Sequence, residues 1–80
     1  MPRERNQLLI DAFAQVLRAA RAHAAQTQED LAFTAGIDRT FVGLLETGKR
    51  QPSLSVLFAL ADALGTTPES LVKETRKLMA

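Results

Sequence analysis

The tightest constraint on the fold lies between Gln28 and Thr47, where two short amphipathic segments are joined at Gly36. Helices that meet steeply through a turn of about three to four residues must satisfy three demands at once. Where they come closest the side chain must be small, and Ala32 stands there. The turn needs a residue tolerant of positive φ, and Gly36 supplies it. The angle between the helices must be filled with apolar groups, and Leu31, Ala35, Ile37, Val42 and Leu45 fall at suitable positions.

The flanking sequence continues in the same style. Leu9, Phe13, Val16, Leu17 and Ala20 recur at three- and four-residue spacing and predict a first helix over roughly Gln7 to Ala24. Thr27 is placed as N-cap of the second helix, with Asp30 answering it in a capping box. Asp38 is expected to cap a third helix over about Arg39 to Thr47, closed by Gly48. After the loop Lys49-Arg50-Gln51-Pro52, Ser53 caps a fourth helix from Leu54 to Leu64, which Gly65 ends. Thr67 and Pro68 start a fifth, which carries Leu71, Val72, Leu78 and Met79. No stretch alternates in the two-residue rhythm of a half-exposed strand. With no repeat, linker or low-complexity tract, residues 1–80 are expected to form one all-α domain of five helices.

Composition removes several classes of function. Eighty residues, 46% of them hydrophobic, sustain one modest core. There is no cysteine for a disulfide or thiolate site, and a single histidine, His23, does not make a metal site. His23 is expected at the surface near the end of the first helix. A hydrolytic site needs grouped nucleophile, base and orienting residues, whereas the carboxylates here fall at caps and pairs; no enzyme activity is expected. Nothing in the chain calls for a cofactor or a small-molecule ligand. No apolar run approaches the roughly 20 residues that cross a bilayer, and the N-terminus lacks an apolar export segment, so a cytoplasmic location is expected. The net charge is only +1, so the bulk basic footprint of a nucleic-acid binder is missing. Within the Gln28–Thr47 window Arg39 is the one base, against Glu29, Asp30, Asp38 and Glu46. Any nucleic-acid binding must therefore rest on individual side chains.

The segments Thr27-Gln28-Glu29-Asp30-Leu31-Ala32, Ala35-Gly36-Ile37-Asp38-Arg39 and Leu45-Glu46-Thr47-Gly48-Lys49-Arg50-Gln51-Pro52-Ser53-Leu54 together resemble the phage repressor and Cro family of helix-turn-helix domains. The resemblance runs from about Phe13 to Leu71. It implies a five-helix, lambda-repressor-like fold, double-stranded DNA as partner, operator binding through the third helix, and a homodimer. Gln28 matches a residue that holds a phosphate and braces the recognition helix. Arg39 and Thr40 match the N-terminal end of that helix, which enters the major groove first. An arginine there can donate two parallel hydrogen bonds to guanine, worth about 1–3 kcal/mol of discrimination. Thr40 can bond a base edge or a phosphate, or offer its methyl to thymine. Leu44 occupies a base-contact position that the family usually fills with a polar residue, which leaves it apolar contact alone. Lys49 and Arg50 match residues that grip the DNA backbone. Arg21 and Glu46 match an ion pair tying the third helix to the first.

Two departures bear on the reading face. Phe41 stands where the family often has tyrosine. Gly43 interrupts the recognition helix at a cost of about 1 kcal/mol in propensity, and either permits close approach to the DNA backbone or weakens discrimination. Arg3 and Arg5 are expected to belong to a frayed terminus rather than to an arm that reaches DNA. The segments Gln28 to Ala32 and Asp38 to Thr40 are also similar to small controller proteins of restriction–modification systems. A protein-interaction module such as an antitoxin subunit is the alternative reading.

The fourth helix is apolar almost all round, and a helix of that kind must be covered on most faces. Leu57, Leu60, Ala61 and Leu64 suit the intramolecular core. Val56, Ala59 and Ala63, with Leu71, Leu78 and Met79 of the fifth helix, are then expected to form a two-fold interface. The competing arrangement has the fifth helix folding back over this stripe within one chain.

Overall fold

The computed structural model describes residues 5–80. Five helices follow in order: α1 (Gln7–His23), α2 (Gln28–Ala35), α3 (Arg39–Glu46), α4 (Leu54–Leu64) and α5 (Pro68–Met79). Among the described residues there is no strand, and no helix is long and apolar enough to cross a membrane.

Side chains start four of the helices. Asn6, Ser53 and Thr67 accept the backbone N–H of Leu9, Val56 and Ser70, respectively. Thr27 and Asp30 complete the reciprocal capping box that opens α2, both bonds being 3.0 Å. Each such cap contributes about 1 kcal/mol. Asp38 departs from expectation. Its backbone is extended as a cap requires, but its carboxylate accepts no hydrogen bond from the helix it precedes. The first turn of α3 is held from outside instead, by the α2–α3 turn and by the burial of Val42.

The first four helices end alike, with a left-handed residue that returns two amides to the last turn. Gly36 and Ile37 donate to the carbonyls of Phe33 and Ala32, and Gly65 and Thr66 to those of Asp62 and Ala61. α1 makes the same closure without glycine. Ala25 sits at φ +56°, and the amides of Ala25 and Gln26 donate to Ala22 and Arg21. This closure ends α1 at His23, one residue before the expected Ala24.

The core draws on every helix: Phe13, Val16 and Leu17, then Leu31 and Ala32, Val42 and Leu45, Leu60 and Ala61, and Leu71. α1 runs against both α5 and α3, α2 against α3 and α4, and α4 against α5. Two expectations need correction. Ile10, not Leu9, is the inward residue of the first turns of α1; Ile10 is buried and Leu9 is 38% exposed. Ile10, Phe13, Ala14 and Leu17 lie on one helical face, and Leu9 stands at its edge, about a hundred degrees round from Ile10 by helix geometry.

Leu71, one residue of the expected two-fold interface, is the second correction. Leu71 is only 3% exposed and belongs to the monomer core, because α5 folds back along α1. Val56 and Ala63 pack against the same core, while Ala59 and Met79 are half-buried. Leu78 alone of the six stands clear. The apolar side chains of α4 that face outward are Leu54 and Phe58, one turn apart, and Val72 joins Leu78 on α5.

The left-handed Ala25 generates a stability test. A non-glycine residue in that conformation costs about 1–2 kcal/mol, and glycine returns about 0.5–1 kcal/mol of this as unfolded-state entropy. Ala25→Gly is therefore expected to stabilise the fold by about 0.5 kcal/mol, seen as a higher urea midpoint with an unchanged slope. A lower midpoint would show that the closure carries no strain.

Candidate nucleic-acid interface

The orientation of α3 is governed by a carboxylate. Glu46 ends the helix with only 3% of its surface exposed. Arg21 of α1 donates to it twice, Nε to Oε2 at 2.6 Å and Nη2 to Oε1 at 3.0 Å. Gln28, the first residue of α2, donates its side-chain amide to Oε1 at 3.0 Å. Arg18 donates to the Glu46 backbone carbonyl. Two helices, α1 and α2, thus converge on one residue of α3. Burial pushes the Glu46 carboxyl up, but the hydrogen bonds from Arg21 and Gln28 and the charges of Arg21 and Arg18 outweigh it. The group is held below its ordinary range, and the bond to Glu46 raises Arg21 in turn. Arg21 also closes the α1–α2 connection by donating to the Gln26 carbonyl at 2.9 Å.

With one side of α3 committed to the core through Val42, Leu45 and Glu46, the other side is presented outward. Arg39 and Thr40 are exposed, and Gly43 and Leu44 are partly exposed one turn on. Phe41 packs against the core, so the hydroxyl missing at that position is not replaced by a new surface contact. An added Cβ at Gly43 would meet nothing within 4 Å. Packing within the chain therefore does not demand glycine there, and the residue leaves a notch in the outward face.

Beyond α3 the chain turns sharply at Gly48. Its φ of +74° favours glycine, and a Cβ there would also displace the Asp11 carboxylate, whose nearer oxygen lies 2.5 Å from its place. The amides of Lys49 and Arg50 both donate to the Leu44 carbonyl, at 3.0 and 3.3 Å. Their side chains are exposed.

Arg39, Thr40, Gly43, Leu44, Lys49 and Arg50 thus belong to α3 and the turn that follows it. Gln28 joins them through its hydrogen bond to Glu46, which braces α3 against α2. Two cations were missed by sequence reasoning. Arg18 lies one turn before Arg21 on α1, a spacing that pointed to the same partner. Arg5 is no frayed residue: it holds the carbonyls of Gly48 and Lys49, and a contact across such a sequence separation leaves no local signal. Arg3 lies outside the described residues. Phe33 on α2 is 89% exposed, an unusual place for an aromatic side chain.

Residues 17–71 match the family described as helix-turn-helix, a span that takes in α2, α3 and α4 entire. The chain belongs to this family. It is 37% identical over 65 residues to the control protein C.SmaI of Serratia marcescens, covering 80% of this chain and 77% of that one. The restriction-modification controller protein C.AhdI from Aeromonas hydrophila superposes with a TM-score of 0.76 at 42% identity, over 78% of this chain and 94% of that one. The clp gene regulator ClgR from Corynebacterium glutamicum reaches a TM-score of 0.84 at 27% identity, over 89% and 76% of the two chains. The five-helix fold of this chain is thereby matched along most of its length.

The Glu46 cluster has a defined pH signature. Because the folded carboxyl sits below the ordinary value of 4.5, its contribution is complete above that value and is lost as pH falls through the folded pKa. Arg21→Met should cost about 2–3 kcal/mol near neutral pH, since it strips a buried charge of its main partner. As Glu46 becomes protonated there is no charge left to pair, so the cost should shrink as pH falls below 4.5 and through the folded pKa, down to what the bond from Arg21 to the Gln26 carbonyl contributes. Urea unfolding of both proteins across this range checks it; a cost independent of pH would mean that the pair adds packing only.

Proposed function

We propose that this chain is a sequence-specific transcription regulator that binds a palindromic operator as a homodimer, with α3 in the major groove. The observation that carries the reading is the outward face of α3, where Arg39, Thr40 and Leu44 stand on a helix locked through Glu46. A locked helix matters because base discrimination requires hydrogen-bond geometry to be set before contact. Arg39 reads a base edge, Thr40 and Leu44 add a polar and an apolar contact, and Gln28, Lys49 and Arg50 hold phosphates on either side. The notch at Gly43 brings the helix backbone close to the duplex.

Two-fold symmetry is supported by the apolar groups left outside the monomer core. Leu54 and Phe58 on α4 and Val72 and Leu78 on α5 are each at least half exposed, more large apolar surface than a solitary chain of this size needs to show. A second copy covering the α4 pair gives an isologous contact, and the two α3 helices then address half-sites about 10 base pairs apart. The names of the similar proteins, a control protein, a restriction-modification controller protein and a gene regulator, favour a cytoplasmic controller without enzymatic activity.

Selection of bound duplexes from random DNA tests this directly. Enrichment of an inverted repeat with half-sites about 10 base pairs apart is expected. Arg39→Ala should then lose about 1–3 kcal/mol of preference for the selected site while keeping weak, salt-sensitive binding. Absence of any enriched sequence would reject the regulator reading, and an unchanged preference would remove Arg39 from the readout.

A further inference from the structure

The N-terminal residues form a second polar cluster, distinct from that around Glu46. Arg5 reaches across 43 and 44 residues of sequence to donate Nη2 to the carbonyls of Gly48 and Lys49, both at 3.1 Å. Its Nε donates to Gln7 Oε1 at 3.0 Å. Gln7 in turn donates to the Gly48 carbonyl at 3.0 Å and to Asp11 Oδ1 at 2.8 Å. The Gly48 carbonyl therefore accepts from two side chains, and the Lys49 carbonyl from one.

The other edge of the same backbone is also occupied, since the Lys49 and Arg50 amides share the Leu44 carbonyl. A turn of three residues is thus held along both edges. Its closure does not need Arg5: the left-handed Gly48 and the amide bonds to Leu44 already provide that, and α3 is oriented by Glu46. What Arg5 adds is confined to the backbone from which Lys49 and Arg50 issue. It also adds charge. Three cationic side chains meet at this turn, although the protein as a whole carries only +1, and the carboxylate in the cluster, Asp11, contacts Gln7 rather than any of the three. Like charges gathered on a solvated turn raise the local potential and favour an anion there.

We infer that Arg5 is a positioning residue for phosphate binding, a clamp that fixes the 48–50 turn so that Lys49 and Arg50 meet the DNA backbone in a set geometry. The inference rests on the DNA-binding reading above. Lys49 bonds poorly without the clamp because the turn must then be ordered at the moment of contact.

A double-mutant cycle tests it. Wild type, Arg5→Met, Lys49→Ala and the double variant are titrated against the selected operator and a random duplex over a series of salt concentrations. Arg5→Met is expected to weaken both duplexes equally, by about fivefold, and to flatten the salt slope by more than the one counterion its own charge accounts for. Lys49→Ala should then cost little more in the Arg5→Met background. Losses that multiply independently, or wild-type binding by Arg5→Met, would overturn the clamp. If the wild type binds no DNA, the regulator reading fails by itself, and amide exchange at Lys49 and Arg50 still reads the clamp. At least tenfold faster exchange in Arg5→Met is expected, and unchanged rates would overturn it.

Discussion

A carboxylate buried at the end of α3 is the interaction on which the rest of the structure depends. Apolar contacts hold the helices together but have no direction, so they leave a short helix free to rotate or slide within a small core. Glu46 removes that freedom, because its oxygens accept from Arg21 on α1 and from Gln28 on α2 while Arg18 takes its backbone carbonyl. Burying the charge is costly and is offset only by good geometry on every partner. That same sensitivity makes the cluster a specifier of orientation: any rotation of α3 that spoils one bond exposes the full desolvation cost.

From this follows a division of labour along one short segment. The first turn of α3 carries the groups able to read bases, and the turn after it carries cations able to hold phosphate. The two are separated by the locked residue, so the reading end and the gripping end are fixed relative to each other and to α1. The arrangement explains how a chain of almost balanced charge can address a polyanion. Two of the four acidic residues in the motif are engaged within the fold, Asp30 in a capping box and Glu46 in the lock; the Asp30 carboxyl is held low by the backbone and side-chain hydrogen bonds to Thr27. Lys49 and Arg50 then stand together beyond the helix, with Arg5 behind them.

Most of the fold was legible because its determinants are local. Caps at Thr27, Ser53 and Thr67, left-handed closures at Gly36 and Gly65, and three- and four-residue apolar spacing all act within one or two turns. The pairing of Arg21 with Glu46 came only through the family resemblance. Errors arose where the outcome depends on which distant element arrives. α4 is apolar on nearly every face, so periodicity within it cannot say that Val56 and Ala63 meet the monomer core while Leu54 and Phe58 face out. Leu71 reads as a partner contact in the sequence because nothing local reveals that α5 lies along α1. The same reason hid Arg5, whose partners are backbone carbonyls on another element, a contact that residue type does not encode. Ala25 escaped notice because left-handed closures are signalled by glycine, and here the closure is imposed by the bonds around it. The Asp38 cap failed in the opposite sense: residue type announced a bond that the turn geometry does not form.

The most direct test of the role given to Glu46 is the ratio of operator to random-duplex affinity in Glu46→Gln, measured at one salt concentration where the variant is folded by circular dichroism. Loosening the lock should leave salt-sensitive binding to any duplex nearly intact while the preference for the selected site falls by about tenfold or more, a loss of at least 1.4 kcal/mol in discrimination. A folded variant that keeps the full wild-type ratio would contradict the claim that this carboxylate sets the orientation in which α3 reads DNA.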